Sequence, residues 1–289
     1  MMMTTIDTTP LPENSRVAII AGGGVLPFEL ASGLAGKGQK LTVLRILGEA
    51  TADFSAFSTR DIALEAICDL VPMLKRDNIT HAVFAGGISK RPDFRSVKFG
   101  VALIPLAWRA ARAFLRGDDA LLGTLVGYVE SRGVKVLGAH QILRELLVPE
   151  AALTRRKPTK RESASIMAGL TAARAIGALD IGQAAIVIGE RAVAIEGAEG
   201  TAAMIARVGE LKATGRIPPA AGGVLVKCPK PGQEQRIDLP AIGPETVAAA
   251  AAAGLTGIAV EAGAALVLSA AETISSADEA GLFIVGVRP

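Results

Sequence analysis

The fold turns on Arg16-Val-Ala-Ile-Ile-Ala21, a short apolar run that ends in Gly22-Gly-Gly24, with Pro27 opening a helical stretch. A short apolar run closed by glycine reads as a strand. Pro27 suits the first turn of a helix, where a missing N–H costs nothing. Working outward, Leu41–Leu47 reads as a second strand, and Thr80–Ala85 as a third that again ends in glycines, Gly86-Gly87. Between them Ile62, Leu64, Ala66, Ile67, Leu70, Val71 and Leu74 fall at helical spacing. Helices are predicted over Val101–Arg116 and Asp119–Arg132, and a strand over Lys135–Ala139. Strands separated by helix-length segments predict a parallel sheet with crossover helices.

The pattern breaks near Glu145. Pro149, Arg155-Arg-Lys157, Pro158 and Lys160-Arg161 read as a solvated linker over 149–160, with a hinge near a phosphate as the alternative. The second half has another rhythm. After a helix at Arg161–Gly177, Ala184–Ile188 and Ala192–Ile195 read as a β-hairpin around Gly189-Glu190. A helix at Thr201–Lys212, a strand at Gly223–Cys228, short strands near Ile237, Ile258 and Leu266, and a last strand at Phe283–Val287 follow. The fold class is therefore α/β. An N-terminal Rossmann-like parallel sheet domain (16–148) is joined by the linker to a C-terminal α+β domain (161–289), behind a fraying N-terminus (1–15).

Composition excludes several classes. Half of the 289 residues are hydrophobic and 20% charged, so the chain folds. With aromatics at 3% and a net charge of +3, neither stacking platforms nor a dedicated basic surface for nucleic acid is expected. Two cysteines (Cys68, Cys228) and two histidines (His81, His140) make no C-x-x-C unit and no zinc site. The first 15 residues lack the basic and apolar regions of a signal peptide, and no uncharged run reaches the roughly 18 residues of a membrane span. A cytoplasmic protein is expected, peripheral at most.

The glycine turn after the first strand stands where doubly wound domains bind phosphate, with the following helix N-terminus offering free N–H groups. It is not G-x-G-x-x-G, since Pro27 replaces the third glycine, and Leu44 and Arg45 stand where an NAD site places its acid. A tight strand-to-helix turn is the other explanation. Gly86-Gly87-Ile88 closes the third strand on the same sheet edge. One of Asp118 and Asp119 is a natural N-cap, leaving the other for a sugar hydroxyl or metal. Asp180-Ile-Gly-Gln183 and Glu196–Thr201 bracket the hairpin, Thr201 or Gly200 capping the helix that follows. In Lys227-Cys-Pro-Lys-Pro231 and Arg236-Ile-Asp238-Leu-Pro240, two lysines, an arginine and an aspartate share proline-stiffened backbone. That set suits pyrophosphate with a divalent cation; a surface salt-bridge ladder would look the same. No G-x-S-x-G elbow, Walker A loop or H-E-x-x-H occurs.

These elements, in this order, resemble the UDP-2,3-diacylglucosamine pyrophosphatases of the LpxI type. The likeness rests on Ile20-Ala-Gly-Gly-Gly24 with Leu26-Pro27, Phe84-Ala-Gly86 with Arg91-Pro-Asp-Phe94, Gly117-Asp-Asp-Ala-Leu-Leu122 and Gly138-Ala-His140. In the second half it rests on Asp180-Ile-Gly-Gln183, Glu199-Gly-Thr201, Lys227 with Pro229-Lys-Pro231 and Gln233, Arg236-Ile-Asp-Leu-Pro240, and Gly281-Leu-Phe with Gly286-Val. The resemblance implies a homodimer of two-domain chains whose ligand lies between the domains. It implies Mg²⁺ or another divalent cation, and an essential aspartate and metal ligand at Asp238. The implied products are UMP and 2,3-diacylglucosamine 1-phosphate (lipid X), with peripheral contact at the cytoplasmic face of the inner membrane. The substrate-binding set expected on these segments is Gly23, Gly24, Val25, Gly87, Ile88, Asp118, Asp119, His140, Gln183, Thr201, Lys227, Lys230 and Arg236. Two rivals stand beside this: an NADP-dependent oxidoreductase with Arg45 on a 2′-phosphate, and a non-catalytic nucleotide-sugar or lipid-binding regulator.

Overall fold

The computed structural model describes residues 11, 12, 14–88 and 118–288, with the side chains of 67, 68 and 118–121 outside that description. The chain divides into two compact units. Unit 1 comprises Met1–Arg144 with Glu234–Ile237, and unit 2 comprises Glu145–Gln233 with Asp238–Pro289.

Unit 1 is built on five parallel strands, β1 (Arg16–Ala21), β2 (Lys40–Ile46), β3 (Thr59–Ile62), β4 (His81–Ala85) and β5 (Lys135–Leu137), in the order β3-β2-β1-β4-β5. β1 is the central strand, and Val17 to Ala21 are all buried, which is what its unbroken apolar run requires. Helix α1 (Leu26–Gly36) carries Pro27 in its first turn and buries Pro27, Leu30, Ala31 and Leu34. Helix α2 (Leu70–Arg76) tolerates Pro72 because that residue also lies in a first turn. Helix α3 (Asp118–Ser131) leads to β5, and the short α4 (Ala139–Ile142) follows it. The chain adds strands on one side of β1 as far as β3, then crosses back to β4. The order therefore reverses between β1 and β4, the topological switch point where open α/β sheets place ligands.

Unit 2 holds a mixed five-stranded sheet in the order β12-β10-β8-β6-β7. The expected hairpin is present: β6 (Ala184–Ile188) and β7 (Arg191–Ile195) are antiparallel, with a register shift at Ile186/Val187. β6 is also antiparallel to β8 (Val224–Lys227), whereas β8, β10 (Gly257–Glu261) and β12 (Phe283–Val287) run parallel. A two-stranded parallel ribbon joins β9 (Ala241–Ile242) to β11 (Leu266–Val267). Helices α5 (Lys160–Ala178), α6 (Gly200–Ala213), α7 (Pro244–Ala252) and α8 (Ala270–Glu279) cover the sheet. α5 opens with a capping box in which Thr159 and Glu162 satisfy each other's backbone N–H groups.

Two expectations change. The stretch 149–160 is not a solvated connector but is bonded along unit 2. Ala152 bridges Val285, Leu153 N donates to Ile284 O at 2.9 Å, and Thr154 Oγ1 accepts from Ile284 N at 2.9 Å. Two of its bases are engaged as well, Arg155 with Asp278 and Arg156 with Glu162 and over the Phe283 ring. Ile237 is not in a strand. It lies in a turn of the four-residue segment that belongs to unit 1, packed against the apolar cluster of Ile20, Phe84 and Val136. Burying that one side chain takes precedence over extending a ladder.

Candidate functional site

In unit 2, β8 ends at Lys227, whose side chain is only 6% exposed. A buried ammonium needs both a hydrogen-bond acceptor and a counter-charge. Lys227 Nζ donates to Ala241 O at 3.1 Å, and Glu196 and Asp238 supply negative charge. Burial pushes this lysine below the ordinary ammonium range, while the two carboxylates act the other way. Glu196, also 6% exposed, follows β7 and is held from two sides. Gln183 N donates to it at 2.8 Å, and Thr201 Oγ1 donates at 2.5 Å. Asp238 is half-buried and accepts a hydrogen bond from Gln233 Nε2. Gln233 Oε1 in turn accepts from Lys230 N at 2.9 Å, and Lys230 Nζ pairs with Asp180 at 2.7 Å.

The structure thus gathers Gln183, Thr201, Lys227 and Asp238 of the expected set into one polar cluster, tied to Lys230 through Gln233. It adds two residues to them. Glu196 follows a β-hairpin strand in a run read for the cap of the next helix, and Gln233, one of the residues that carry the family likeness, was given no role in the site. No signal in its own run marks Glu196, because the lysine it accompanies ends a strand some thirty residues further along the chain.

In unit 1, both glycine loops sit at the β1–β4 switch point, but their N–H groups are spent on each other. Gly22 N donates to Ala85 O at 2.8 Å, Gly23 N to Gly87 O at 2.8 Å, Gly87 N to Gly23 O at 3.1 Å, and Gly24 N to Thr51 Oγ1 at 3.4 Å. The N–H groups of Gly22, Gly23, Gly24 and Gly87 are therefore committed within the loops and to Thr51. The glycines serve close approach instead: a Cβ on Gly22 would lie 2.5 Å from Gly87 O, and one on Gly86, at φ +87°, would lie 2.3 Å from Gly23 O. Around these loops, at the carboxyl ends of β1, β2 and β4, Val25, Phe28, Leu47 and Ile88 are exposed.

His140, in α4 just past β5, is 7% exposed, and its Nδ1 has no hydrogen-bond partner among the described residues. Burial lowers its pKa from the usual histidine value, favouring the neutral ring. Arg236 lies in the segment of unit 1 that also holds Glu234. It pairs with Glu130 at 2.8 Å and with Glu234 through two further 2.8 Å bonds. Three of the five guanidinium donors are committed to carboxylates, so Arg236 is not the free phosphate cation its sequence suggested. Arg45 pairs with Asp61 at 2.7 and 2.8 Å on the surface of unit 1. The side chains of Asp118 and Asp119 lie outside the described residues. At the opposite edge of this sheet, a cleft of about 560 Å³ is lined by Arg16, Lys40, Arg60 and Arg76. Its cations have local work: Arg60 pairs with Asp77 at 3.0 Å, and Arg16 Nη1 donates to Asp77 O at 3.3 Å.

Comparison with known proteins resolves the family. The model of the LpxI N-terminal domain matches residues 16–146, and that of the LpxI C-terminal domain matches 149–285. The chain belongs to the LpxI family. A relative from Caulobacter vibrioides, named UDP-2,3-diacylglucosamine pyrophosphatase LpxI, is 39% identical over 283 residues, covering 95% of this chain and 98% of the relative. Among solved structures, a Thermus thermophilus UDP-glucose 4-epimerase in complex with NAD aligns with a TM-score of 0.28 and 14% identity, over 50% of this chain and 41% of that one. CobK precorrin-6A reductase aligns with a TM-score of 0.31 and 12% identity, over 95% and 88%. Scores this low carry no weight for this LpxI chain, whose family rests on the two domain matches and the Caulobacter relative.

Proposed function

We propose that this chain hydrolyses the pyrophosphate bond of UDP-2,3-diacylglucosamine to UMP and 2,3-diacylglucosamine 1-phosphate in lipid A biosynthesis. The observation that carries this is the near-complete alignment with the Caulobacter enzyme of that name. The geometry supports the same chemistry through Asp238, a carboxylate oriented by Gln233 beside the buried Lys227.

In the reaction, a water oxygen forms a bond to one phosphorus of the diphosphate as the bridging P–O bond breaks. The proton shed by the attacking water needs an acceptor, and a fixed carboxylate provides one or aligns the water. Asp238 takes that role in our reading. Gln233 fixes its rotamer, and Lys227 supplies a positive charge nearby.

A divalent cation fits these residues in one mode. Among the described residues, no three His, Cys, Asp or Glu side chains form a metal-binding group. Mg²⁺ at phosphate sites is commonly held by one or two carboxylates, with substrate oxygens completing the shell. Asp238 would be that carboxylate, and the cation would supply neutralisation of the diphosphate charge. Among the described residues, no helix is long and apolar enough to cross a membrane. A two-chain lipid substrate therefore calls for peripheral contact at the cytoplasmic face of the inner membrane, and we expect the working form to be a homodimer.

The deciding assay is release of UMP from UDP-2,3-diacylglucosamine, with and without Mg²⁺, by the wild type and Asp238→Asn at equal folded concentration. Asp238→Asn keeps the shape and removes the charge. A loss of about 10²-fold or more in kcat is expected. A variant within about tenfold of wild type, about 1.4 kcal/mol of barrier, removes Asp238 from the chemistry.

A further inference from the structure

Lys227 is an unusual choice for the end of a buried strand. Its ammonium is withdrawn from water and spends one donor on Ala241 O, three residues beyond Asp238. Asp238 alone would be counter-charge enough for one lysine. Yet a second carboxylate is buried with it, and Glu196 is the more firmly built of the two. It accepts from Gln183 N and Thr201 Oγ1, and its own N–H donates to Ala184 O at 2.9 Å. Gly182 is pressed so close that a Cβ there would lie 2.4 Å from Glu196 O. Gln183 O, in turn, accepts from the N–H of Cys228, the residue after Lys227, at 3.1 Å. The carboxylate is thus tied through Gln183 to the strand end that carries the lysine, and Ala184 is also the register partner of Lys227, so the two buried residues stand in one row on either side of β6.

This duplication has a physical use. A carboxylate that engages water, a cation or a phosphate during turnover no longer serves fully as the counter-ion of a neighbouring lysine. A buried lysine that loses its only partner is strongly destabilised. A second carboxylate held outside the chemistry removes that conflict. We propose that Glu196 is the standing counter-ion of Lys227. The Glu196–Lys227 pair is a positioning device: it keeps the Asp238–Ala241 segment in register while leaving the Asp238 carboxylate able to change partners. Neither residue is assigned a contact with substrate, and the inference rests on the hydrolytic reading of Asp238.

The test is a set of four proteins: wild type, Glu196→Gln, the double variant Glu196→Gln/Lys227→Met, and Asp238→Asn. Each is assayed for kcat and KM on UDP-2,3-diacylglucosamine per folded molecule, with thermal unfolding in parallel. Glu196→Gln keeps an oxygen acceptor and removes only the charge. The double variant removes both charges with similar volume, so it recovers stability relative to Glu196→Gln. We expect kcat to fall at least about tenfold in both, with KM within about threefold, as misplacement of a catalytic group predicts. The double variant should stay slow even where its stability returns. A purely structural role would instead give wild-type kcat per folded molecule once stability is restored, and that result overturns the proposal. A Glu196→Gln rate within about twofold of wild type, far short of what misplacement costs, overturns it as well. Should Asp238→Asn keep the wild-type rate, the underlying reading of Asp238 fails and this inference with it. Loss at Asp238→Asn with full activity in the other two defeats this inference alone.

Discussion

At the carboxyl ends of β1 and β4, unit 1 brings two glycine loops together. At the ends of β7 and β8, unit 2 brings together a glutamate and a lysine beside Asp238. In the first region every donor from Gly22 to Gly24, and that of Gly87, is satisfied by backbone or Thr51, and no ion pair joins the two loops among the described residues. In the second, Glu196 and Lys227 are both more than nine-tenths buried and stand in one row on either side of β6, where the opposite charges favour each other. Both regions stand where a sequence reader expects phosphate chemistry, at strand ends rich in glycine or in mixed charge. The difference teaches that a glycine-rich strand end is ambiguous between ligand approach and loop approach. Buried opposite charges are less so, because desolvating them has a cost that a mere turn would not incur.

The sharpest way to break this contrast is to remove one charge from unit 2. Lys227→Met leaves Glu196 buried without its counter-ion and should destabilise unit 2 by about 3 kcal/mol or more. Chemical denaturation, with hydrogen exchange followed at β8 and β10, checks this; a cost under about 1 kcal/mol would mean the cluster is solvated. In unit 1 the corresponding lesion is steric. Gly86→Ala imposes a left-handed φ on an L-residue and drives its Cβ into Gly23 O, so about 2 kcal/mol of stability should be lost, read as a lowered Tm. A Tm equal to wild type would show that the loops separate at little cost.

Acid should separate the units next. Both histidines lie in unit 1, and burial is the main cause lowering the pKa of each. In the window between those lowered values and the unfolded value near 6.5, the unfolded chain binds more protons. The histidine contribution to the stability of unit 1 is therefore fully present above the unfolded value and is lost as pH falls through that window, so unit 1 should be less stable at about pH 5.5 than at about pH 7. Hydrogen exchange at β1 and β4 against β6 and β8, at the two pH values, measures the difference. Equal loss in both units would count against it. The smallest effect sharpens the glycine argument. A Cβ on Gly87 meets nothing within 4 Å, and its backbone needs no left-handed φ. Gly87→Ala should leave stability within about 0.5 kcal/mol. Any loss of turnover in that variant would then report a ligand passing Gly87, not a damaged fold.

Much of the fold was legible because periodicity and punctuation agreed. β1, β2, β4 and β12 are apolar runs ended by glycine or by a change of pattern, and the β6–β7 hairpin announces itself through Gly189-Glu190. β3 escaped notice because Thr59-Arg-Asp-Ile62 is a four-residue edge strand with three polar residues, which has no apolar period to read. Stretch 149–160 reads as a connector because most of its charges are solvated, whereas its backbone is bonded to β12, a partner more than a hundred residues away in the chain. Asp238 and Lys227 could be singled out from local composition and the family likeness. Glu196 could not, since nothing within its own run calls for a buried carboxylate.

The sequence by itself determined two things. Local pattern placed most of the strands and helices, because burial on one or two faces leaves a period in the chain. The ordered short segments determined the family, because each constrains a separate turn or strand end. Tertiary structure alone decided which polar groups are free. Lys227, Lys230 and Arg236 look equivalent along one short stretch of chain. The first is buried between carboxylates, the second is bound to Asp180, and the third is held by Glu130 and Glu234. Their fates differ because a charge's partner is set by which strand ends meet in space, and that meeting leaves no local trace in the chain.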